Sequence, residues 1–343
     1  MEKKKINQQY IANLVGVSRV TVTKAMQDHE DIALETRKRI QKVAAEVGYV
    51  PSTIGRSLVN KSTKTIGIVF PKINHSFFSS VTEQMYATAE ELGYRVILMV
   101  SFEDKEREQQ AIRTLISMQV DGIIIDTAVT DLDTKVFDII KKNQIPFIFF
   151  DRKIVGINDA GIYFQDYDLS FQLTTELINK GYTNMLYLSG SQNINIGKMR
   201  LNGFTEGMHS RNLPVHEDRI ITTELTEESG YEAFKGYLKK HKELPEVVLC
   251  VNDSTALGVY RACEEANIRI PEDLGVVGFG DTAIARLTRP RLSSVKLNSM
   301  EAAKKTVRNL IYLIKNSNGK IQDEFFSGSV IFRDSVKENV YVD

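Results

Sequence analysis

Gly16-Val-Ser-Arg-Val-Thr-Val-Thr-Lys-Ala-Met26, near the start of a 343-residue chain, has the composition of a turn followed by a short helix. Gly16 can end a preceding helix in the left-handed conformation, and Ser18 can accept a hydrogen bond from the first amides of the next. That second helix is predicted to begin at about Arg19. Before the turn, Asn7 can cap a first helix, Gln8 to Leu14, whose apolar residues recur at helical spacing. The pair predicts a helix-turn-helix.

The two faces of the predicted second helix differ in chemistry. Val22 and Met26 lie four residues apart and, with Ala25, form the packing side, so the opposite side is basic and short-chained. In a DNA major groove, arginine pairs with guanine, valine contacts a thymine methyl and lysine reaches a base or phosphate. The base-reading candidates are therefore Arg19, Val20 and Lys24. Thr21 and Thr23 suit phosphate contacts. The alternative is a small helical hairpin that binds nothing.

Charge is distributed unevenly along the chain. Through Lys64 there are twelve Lys and Arg residues against six Asp and Glu residues, whereas the remainder has thirty-two against thirty-eight. The first part therefore carries +6 and the second −6, although the whole chain is neutral. A basic end joined to an acidic body is expected when one end approaches phosphates. Because the basic residues coincide with the helix-turn-helix, DNA is favoured over a merely solvated basic face.

Composition and motifs argue against several classes of protein. No apolar run reaches the roughly 18 to 20 residues of a membrane helix, and no signal-peptide core follows Met1, so a cytoplasmic location is expected. Cys250 and Cys263 lie in apolar runs and indicate buried thiols rather than a disulfide or metal site. No phosphate loop, zinc-ligand spacing or nucleophile elbow is present. We therefore expect no cofactor, no metal, no membrane partner and no enzymatic activity.

Beyond the motif, the sequence predicts a third helix over Leu34–Val47, a short segment over Ser52–Leu58 and a polar linker that ends at Lys64. Apolar β-rich runs then alternate with helical patterns. The predicted strands cover 66–70, 95–100, 122–125, 146–150, 185–188, 247–251 and 275–278. Strands that are apolar throughout and alternate with helices indicate parallel sheets covered on both faces. The roughly 280 residues of such units ordinarily form two α/β lobes.

Polar residues follow several of these apolar strands. In open parallel sheets, ligands bind beyond the carboxyl ends of the strands, so such residues are candidates to line a pocket. They are Asn74 to Phe78, Asp126, Asp151-Arg152, Asn252-Asp253 and Gly280-Asp281. The alternative is that some merely cap the following helix, as Asp133 and Asp253 are placed to do.

These residues together resemble the lactose/galactose repressor (LacI/GalR) family of bacterial transcription regulators. The resemblance covers nearly the whole chain. In the head it rests on Gly16-Val17-Ser18 through Val22 and on Gly48-Tyr49-Val50-Pro51. In the body it rests on Val120 to Ile124, Arg200 with Gly203-Phe204, Asn252-Asp253 with Ala256-Leu257-Gly258, and Ile270 to Phe279. Each motif alone is weak, but their combination is specific.

The resemblance implies an α/β fold with an N-terminal three-helix helix-turn-helix head and hinge helix (1–62). A two-lobed periplasmic-binding-protein-like core of parallel sheets (63–343) follows. Its N-subdomain spans about 63–164 and 294–322, and its C-subdomain about 165–293 and 323–343. It also implies a homodimer that binds a palindromic operator in double-stranded DNA, as a repressor, under the control of a small molecule, a sugar or sugar derivative.

By the same resemblance, the DNA-binding residues can be assigned. The base-reading residues are Arg19, Val20 and Lys24, and the backbone-positioning residues are Asn7, Gln8, Ser18, Thr21 and Thr23. The hinge helix ends with Arg56-Ser57-Leu58, and Leu58 resembles the leucine that wedges into the minor groove. The effector-contacting candidates are His75, Phe77, Phe78, Asp126, Asp151, Arg200, Leu225, Asn252 and Asp281.

Departures from the family pattern concentrate at the effector site. His75-Ser76 replaces the usual Asn-Pro, Gly280 replaces the first aspartate of the usual Gly-Phe-Asp-Asp, and Leu297 replaces a commonly polar residue. A sugar remains compatible with the sequence, but a standard sugar site is not indicated. Arg200 suits bidentate recognition of a carboxylate, phosphate or hydroxyl group, or it pairs with Asp151 or Asp126 instead.

Two other classes of protein are alternatives to a regulator. A solute-binding receptor would share the two-lobed body, but it would carry a secretion signal and no basic three-helix head. An enzyme would require a base poised against a nucleophile in the cleft, and the sequence shows no such constellation. The identity of the effector, induction against co-repression, and dimer against higher oligomer stay open.

Overall fold

The computed structural model describes residues 6–50, 62–73, 76–128, 135–152, 157 and 159–338. The chain divides into two compact units, Met1–Thr63 and Lys64–Asp343, called here the head and the core. This division lies one residue from the boundary expected from the sequence. Among the described helices, none is long and apolar enough to cross a membrane.

The described part of the head consists of α1 (Gln8–Val15), α2 (Arg19–Ala25) and α3 (Leu34–Glu46). α1 begins where Asn7 Oδ1 accepts the Tyr10 N–H at 2.9 Å, and it ends at Gly16, whose φ is 73°. This left-handed conformation costs glycine little. At the start of α2, Ser18 Oγ accepts the Thr21 N–H at 3.1 Å. The predicted caps and the start at Arg19 are confirmed.

A small apolar core holds the three head helices together. Its buried members are Ile11, Ala12, Val15, Val22, Ala25, Ile40 and Ala44. Helices of seven or eight residues are marginal alone, so this shared burial is what stabilises α1 and α2. Met26 packs partly against the same cluster, which confirms the predicted packing face of α2. α3 begins after Ala33 without a side-chain capping bond, as the short apolar side chain requires.

The described core alternates strands and helices along the chain. The strands are β1 (Thr65–Phe70), β2 (Arg95–Val100), β3 (Gly122–Ile125), β4 (Phe147–Phe150), β5 (Gly161–Phe164), β6 (Met185–Gly190), β7 (Ile220–Thr223), β8 (Val247–Cys250), β9 (Gly275–Gly280), β10 (Ser293–Leu297), β11 (Glu324–Phe326) and β12 (Gly328–Ile331). The helices are α4 (Ser76–Glu91), α5 (Lys105–Ser117), α6 (Lys135–Lys142), α7 (Asp166–Asn179), α8 (Asn195–His209), α9 (Glu227–Lys240), α10 (Asp253–Glu265), α11 (Ala283–Leu287) and α12 (Ser299–Lys315).

These elements form two lobes, each built on a six-stranded sheet. The first sheet has the order β11-β5-β4-β3-β1-β2 and is parallel throughout. The second has the order β12-β10-β9-β8-β6-β7, and only β12 runs antiparallel to its neighbour. The central strands are buried on both faces, as parallel sheets covered by helices require. The predicted two α/β lobes are confirmed.

The chain passes between the lobes three times, and two of these crossings differ from the expected subdomain boundaries. β10 was expected to open the second N-subdomain segment at 294, but it pairs with β9 in the second sheet. β11 was expected in the C-subdomain, but it pairs with β5 in the first sheet. The crossings therefore follow β5, β10 and β11. Sheet membership depends on hydrogen bonding between distant strands, which local sequence patterns do not encode.

Candidate functional site

The described head presents an exposed face on α2. Val20 is 65% exposed although it is apolar, and Arg19 is also exposed. Among the described residues, no hydrogen bond or ion pair engages the Arg19 guanidinium. Lys24 Nζ lies 2.6 Å from Asp31 Oδ2, and this ion pair lowers the pKa of the Asp31 carboxyl. Within the described part of the head, the face therefore carries one cation without a partner and one cation held by an exposed carboxylate.

The polar residues around this face are engaged in local hydrogen bonds. Thr23 Oγ1 donates to Gln8 Oε1 at 3.0 Å and so links α2 to α1. Ser18 Oγ and Thr21 Oγ1 lie 2.9 Å apart. These bonds hold the side chains in place while leaving donor or acceptor capacity for a partner. Arg56 and Leu58, with the expected hinge helix, lie outside the described residues, as does His75 of the effector set.

A cleft between the two lobes collects residues that follow the strand ends. Phe77 and Phe78 line it from the start of α4, Asp151 from the end of β4, and Leu225 from the segment after β7. Also in the lining are Arg200 of α8, Asn252 after β8, and Lys72, Ser76, Glu103, Arg152, Ile196, Asp253, Ser254, Phe279, Gly280, Thr282 and Leu297. The cavity measures about 80 Å³. Both lobes contribute to its walls, as expected for the carboxyl ends of parallel strands.

Arg200 is the central cation of the cleft wall on the second lobe. Its Nε donates to Asp166 Oδ1 at 2.7 Å and its Nη1 donates to the Val251 carbonyl at 2.6 Å. The guanidinium carbon lies 3.7 Å from the centroid of the Phe279 ring. The alternative pairing of Arg200 with Asp151 or Asp126 is thus wrong, because Asp166 at the start of α7 lies nearer and aligns with Nε. Arg200 is 6% exposed, and these three contacts orient its guanidinium group.

Asp151 is a buried carboxylate at the end of β4. It is 4% exposed, and among the described residues its Oδ1 accepts no hydrogen bond. Burial first, and the charge of Asp166 second, raise the pKa of Asp151 to about 7. Its φ of 64° places it in the left-handed region, which strains a non-glycine residue. A buried polar atom of this kind, at the wall of a cleft, is a candidate ligand contact.

Asn252, Asp126 and Asp281 were predicted as effector contacts, and their environments differ. Asn252 lines the cleft, but its Oδ1 caps α10 by accepting the Thr255 N–H at 2.7 Å, and its Nδ2 donates to the Leu225 carbonyl. Asp126 and Asp281 are absent from the described lining of the cleft. Asp281 instead forms an ion pair with Arg333 at 2.6 Å. Polar residues at strand ends can bind neighbouring loops as well as ligands, and these do.

The predicted helix cap at Asp253 also differs from the structure. Asn252 provides the cap of α10, whereas Asp253 Oδ2 accepts the Thr282 N–H at 2.6 Å and Oδ1 accepts the Ser294 hydroxyl at 2.6 Å. Asp253 is therefore an internal brace that joins α10 to β10 and to the segment after β9. The other cap candidate, Asp133, lies outside the described residues.

The first-lobe wall contains a charged cluster that the sequence analysis did not identify as a unit. Arg152 is 2% exposed and forms a bidentate pair with Glu103, at 2.8 and 3.1 Å. Its Nε lies 3.7 Å from Asp126, which is fully buried. Burial raises the pKa of Asp126 well above its usual value despite this cation. Asp126 thus belongs to the support of the wall.

Glu108 of α5 completes the cluster and makes the stability of the core sensitive to pH. Its carboxylate accepts the Ala128 N–H and the Thr127 hydroxyl, and burial raises its pKa to about 7. An unfolded glutamate has a pKa near 4.5. Between about pH 4.5 and 7 the folded core therefore keeps a proton that the unfolded chain loses. The free energy of unfolding falls as the pH rises through this window, by an amount on the order of a few kcal/mol.

We expect the wild-type core to melt several degrees higher at pH 6 than at pH 8, and we expect Glu108→Gln to reduce this difference. Glutamine keeps an acceptor for the Ala128 N–H but carries no titrating proton. The measurement is the melting temperature of each variant against pH, with the exposed neighbour Glu106→Gln as the matched control. An unchanged pH slope in Glu108→Gln would mean that the other buried carboxylates carry the effect.

Two family models match this arrangement of head and core. The model described as bacterial regulatory proteins of the lacI family matches residues 9–52, and a periplasmic binding protein-like domain matches residues 174–336. The HTH-type transcriptional regulator AscG of Escherichia coli is 30% identical over 328 residues, which are 95% of this chain and 97% of that protein. The chain belongs to the lacI family. It is a DNA-binding transcription regulator with an effector-binding core, and the solute-receptor alternative does not account for the head.

Further comparisons agree with this assignment. The ribose operon repressor of Haemophilus influenzae is 26% identical over 326 residues, 95% of this chain and 97% of that protein. A crystal structure of the lac repressor dimer, bound to operator and the anti-inducer ONPF, superimposes with a TM-score of 0.84. That match covers 97% of this chain and 99% of the other at 22% identity, so it supports the fold alone. The resemblance recognised from the sequence motifs is confirmed.

Proposed function

We propose that this regulator binds a palindromic operator as a homodimer and that each α2 enters a major groove. Arg19, Val20 and Lys24 would read the bases. Asn7, Gln8, Ser18, Thr21 and Thr23 would position the phosphate backbone, with Arg56 and Leu58 at the hinge. The exposure of Val20 supports this role. An exposed valine side chain is unfavourable in water, and contact with a thymine methyl group in the major groove would bury it. The lac repressor, whose crystal structure shows a dimer bound to its operator, supports the two-fold arrangement.

Lys24 must leave Asp31 in order to contact DNA. An exposed ion pair contributes only about 0–1 kcal/mol, so phosphate or guanine can replace the carboxylate at little cost. Until then, Asp31 reduces the positive charge that α2 presents to any DNA. We infer that the pair lowers non-specific affinity more than specific affinity.

In the core, we propose that the cleft binds a small molecule, a sugar or sugar derivative. Arg200 would donate to it from the second lobe, and Asp151 would accept from its hydroxyl groups on the first lobe. Phe77, Phe78 and Leu225 would cover its apolar faces. The single observation that carries this proposal is that two polar groups face one cleft from opposite walls: the Arg200 guanidinium, held on an aromatic ring, and the buried Asp151 carboxyl, whose Oδ1 has no hydrogen-bond partner among the described residues.

Regulation would follow because the two walls of the cleft belong to different lobes. The cavity of about 80 Å³ is smaller than the ~300–1,000 Å³ of small-molecule sites, so a sugar requires the walls to move. Because the walls belong to different lobes, the ligand favours one lobe orientation over another. Operator affinity then depends on effector through coupling between two sites. We propose that the protein acts by binding alone, without catalysis.

Fluorescence anisotropy with labelled DNA from the promoter regions next to its gene tests this function. We expect sequence-selective binding that weakens steeply with salt, followed by a change in affinity when one member of a panel of sugars, sugar acids, sugar phosphates and nucleobases is added. Equal binding to scrambled DNA of the same length would refute the regulator's operator role. A panel that leaves both operator affinity and melting temperature unchanged would refute the effector role of the cleft.

A further inference from the structure

The chemical class of the effector can be narrowed from the charges in the cleft lining. Lys72 lies two residues after β1, is half-buried and lines the cleft on the first lobe. Within the described part of the chain, its ammonium group forms no hydrogen bond or ion pair. A half-buried lysine can bury its stem while its ammonium group stays in water, so the N–H donors of Lys72 are available to a ligand in the cleft. Within the described residues, no anion of the chain occupies these donors.

Arg200 offers a second set of unused donors on the opposite wall. A guanidinium has five N–H groups, and the described partners of Arg200 accept one from Nε and one from Nη1. No described acceptor engages Nη2. Because Asp166 and the Phe279 ring fix the plane of the group, its free edge is preorganised and loses little entropy when a ligand binds.

The carboxylates in the lining do not serve as partners for these cations. Glu103 is held by the bidentate pair with Arg152, and Asp253 accepts bonds from Thr282 and Ser294. Asp151 is the third carboxylate. With a pKa of about 7 it is protonated in a large fraction of molecules near neutral pH, and in that form it repels no anion. An anion from outside the chain is therefore the group that matches the unused donors.

We propose that the effector carries one anionic group, a phosphate or a carboxylate, which binds between Lys72 of the first lobe and Arg200 of the second. The apolar residues of the lining, among them Phe78 and Leu297, would cover the rest of the molecule. An anion held from both lobes draws them together, so the same contact links ligand class to regulation. This inference rests on the proposed effector role of the cleft.

The test compares matched pairs of neutral and anionic sugars. Isothermal titration is carried out on the full-length protein with glucose, glucuronate and glucose 6-phosphate, and with ribose and ribose 5-phosphate. We expect the anionic member of a binding pair to bind about tenfold tighter or more. This ratio corresponds to the free energy that one charge-assisted hydrogen bond contributes. The glucuronate and 6-phosphate arms distinguish a carboxylate from a phosphate as the anion.

Lys72→Met supplies the second arm of the test, since methionine keeps the length of the side chain without its charge. We expect this variant to lose the preference for the anionic member, and we expect Lys72→Arg to keep the preference. Lys240→Met, which removes an exposed charge at the end of α9, is the matched control and should behave as wild type.

The outcomes separate this inference from the function on which it rests. Equal affinity for neutral and anionic members, or an unchanged preference in Lys72→Met, overturns the anionic class but leaves the cleft as a sugar site. The absence of binding by every member of every pair overturns both. Loss of preference in Lys240→Met as well would mean that net charge, and not Lys72, selects the ligand.

Discussion

An Arg200→Ala, Asp166→Asn double variant should bind operator DNA as the wild type does and no longer respond to effector. One charge-assisted hydrogen bond contributes about 1.5–3 kcal/mol, so the loss of two weakens effector binding on the order of 10²- to 10⁴-fold. Operator affinity should persist because Arg200 belongs to the core and the bases are read by the head. The measurement is operator affinity with and without the effector found by screening.

The second substitution is needed because Arg200 is the partner of a buried carboxylate. Asp166 is 5% exposed, and leaving such a charge without its cation costs about 3–5 kcal/mol. Arg200→Ala alone would therefore mix lost ligand binding with a destabilised core. Asp166→Asn alone is the control, since it removes the ion pair but keeps the guanidinium on Phe279. Loss of operator binding in the folded double variant would instead assign Arg200 a structural role.

The head was predictable because its signals are local. Capping by Asn7 and Ser18, and the stop at Gly16, depend on residues within four positions along the chain. The role of such a capping residue can be inferred from its position in the sequence and the chemistry of its side chain. The packing face of α2 followed from the same helical periodicity.

The sequence analysis missed five of the described strands, β5, β7, β10, β11 and β12, and four of them lie at a sheet edge or are not continuously apolar. β10 has the sequence Ser-Ser-Val-Lys-Leu, and it is buried although it is not continuously apolar. β11 and β12 are three- and four-residue strands at the edges of the two sheets, and both are partly exposed. An edge strand does not need to be apolar on both faces, so its pattern of apolar and polar residues resembles that of a loop. The positions of the lobe crossings depended on these strands.

The carboxyl ends of the strands indicated where the cleft lies, but not which way each side chain points. Phe77, Asp151 and Arg200 lie in the lining, and their contact with an effector stays a prediction, whereas Asp126 lies beside Arg152 and outside the described lining. Whether a buried carboxylate faces a cleft or a cation depends on where that cation lies. Glu103 and Arg152 are 49 residues apart, and only the folded chain brings them together. Lys72 gave no sequence signal, because its significance lies in the absence of a described partner.

Arg19→Ala should lower operator affinity about 5- to 150-fold, since a bidentate arginine–guanine contact contributes ~1–3 kcal/mol of discrimination. The loss should be specific to one base pair in each half-site. On an operator with that base pair changed, wild type and Arg19→Ala should bind with similar affinity. The Arg19 guanidinium has no partner among the described residues, so the substitution breaks no side-chain bond within the described part of the head. The measurement is anisotropy on a set of operators with single base-pair changes.

Asp31→Asn should raise DNA affinity in the same assay, whereas Arg19→Ala should lower it. Freed from its ion pair, Lys24 adds a full charge to the DNA-facing side of α2, so binding to operator and to scrambled DNA should both strengthen. The salt dependence of binding separates the two residues: Asp31→Asn should steepen it, whereas Arg19→Ala should chiefly change which sequence is preferred. Arg211→Ala removes an exposed cation from the core and serves as the charge-matched control for Arg19→Ala. A uniform loss across all operators in Arg19→Ala would reassign Arg19 from base reading to phosphate contact, because only a base contact distinguishes one sequence from another.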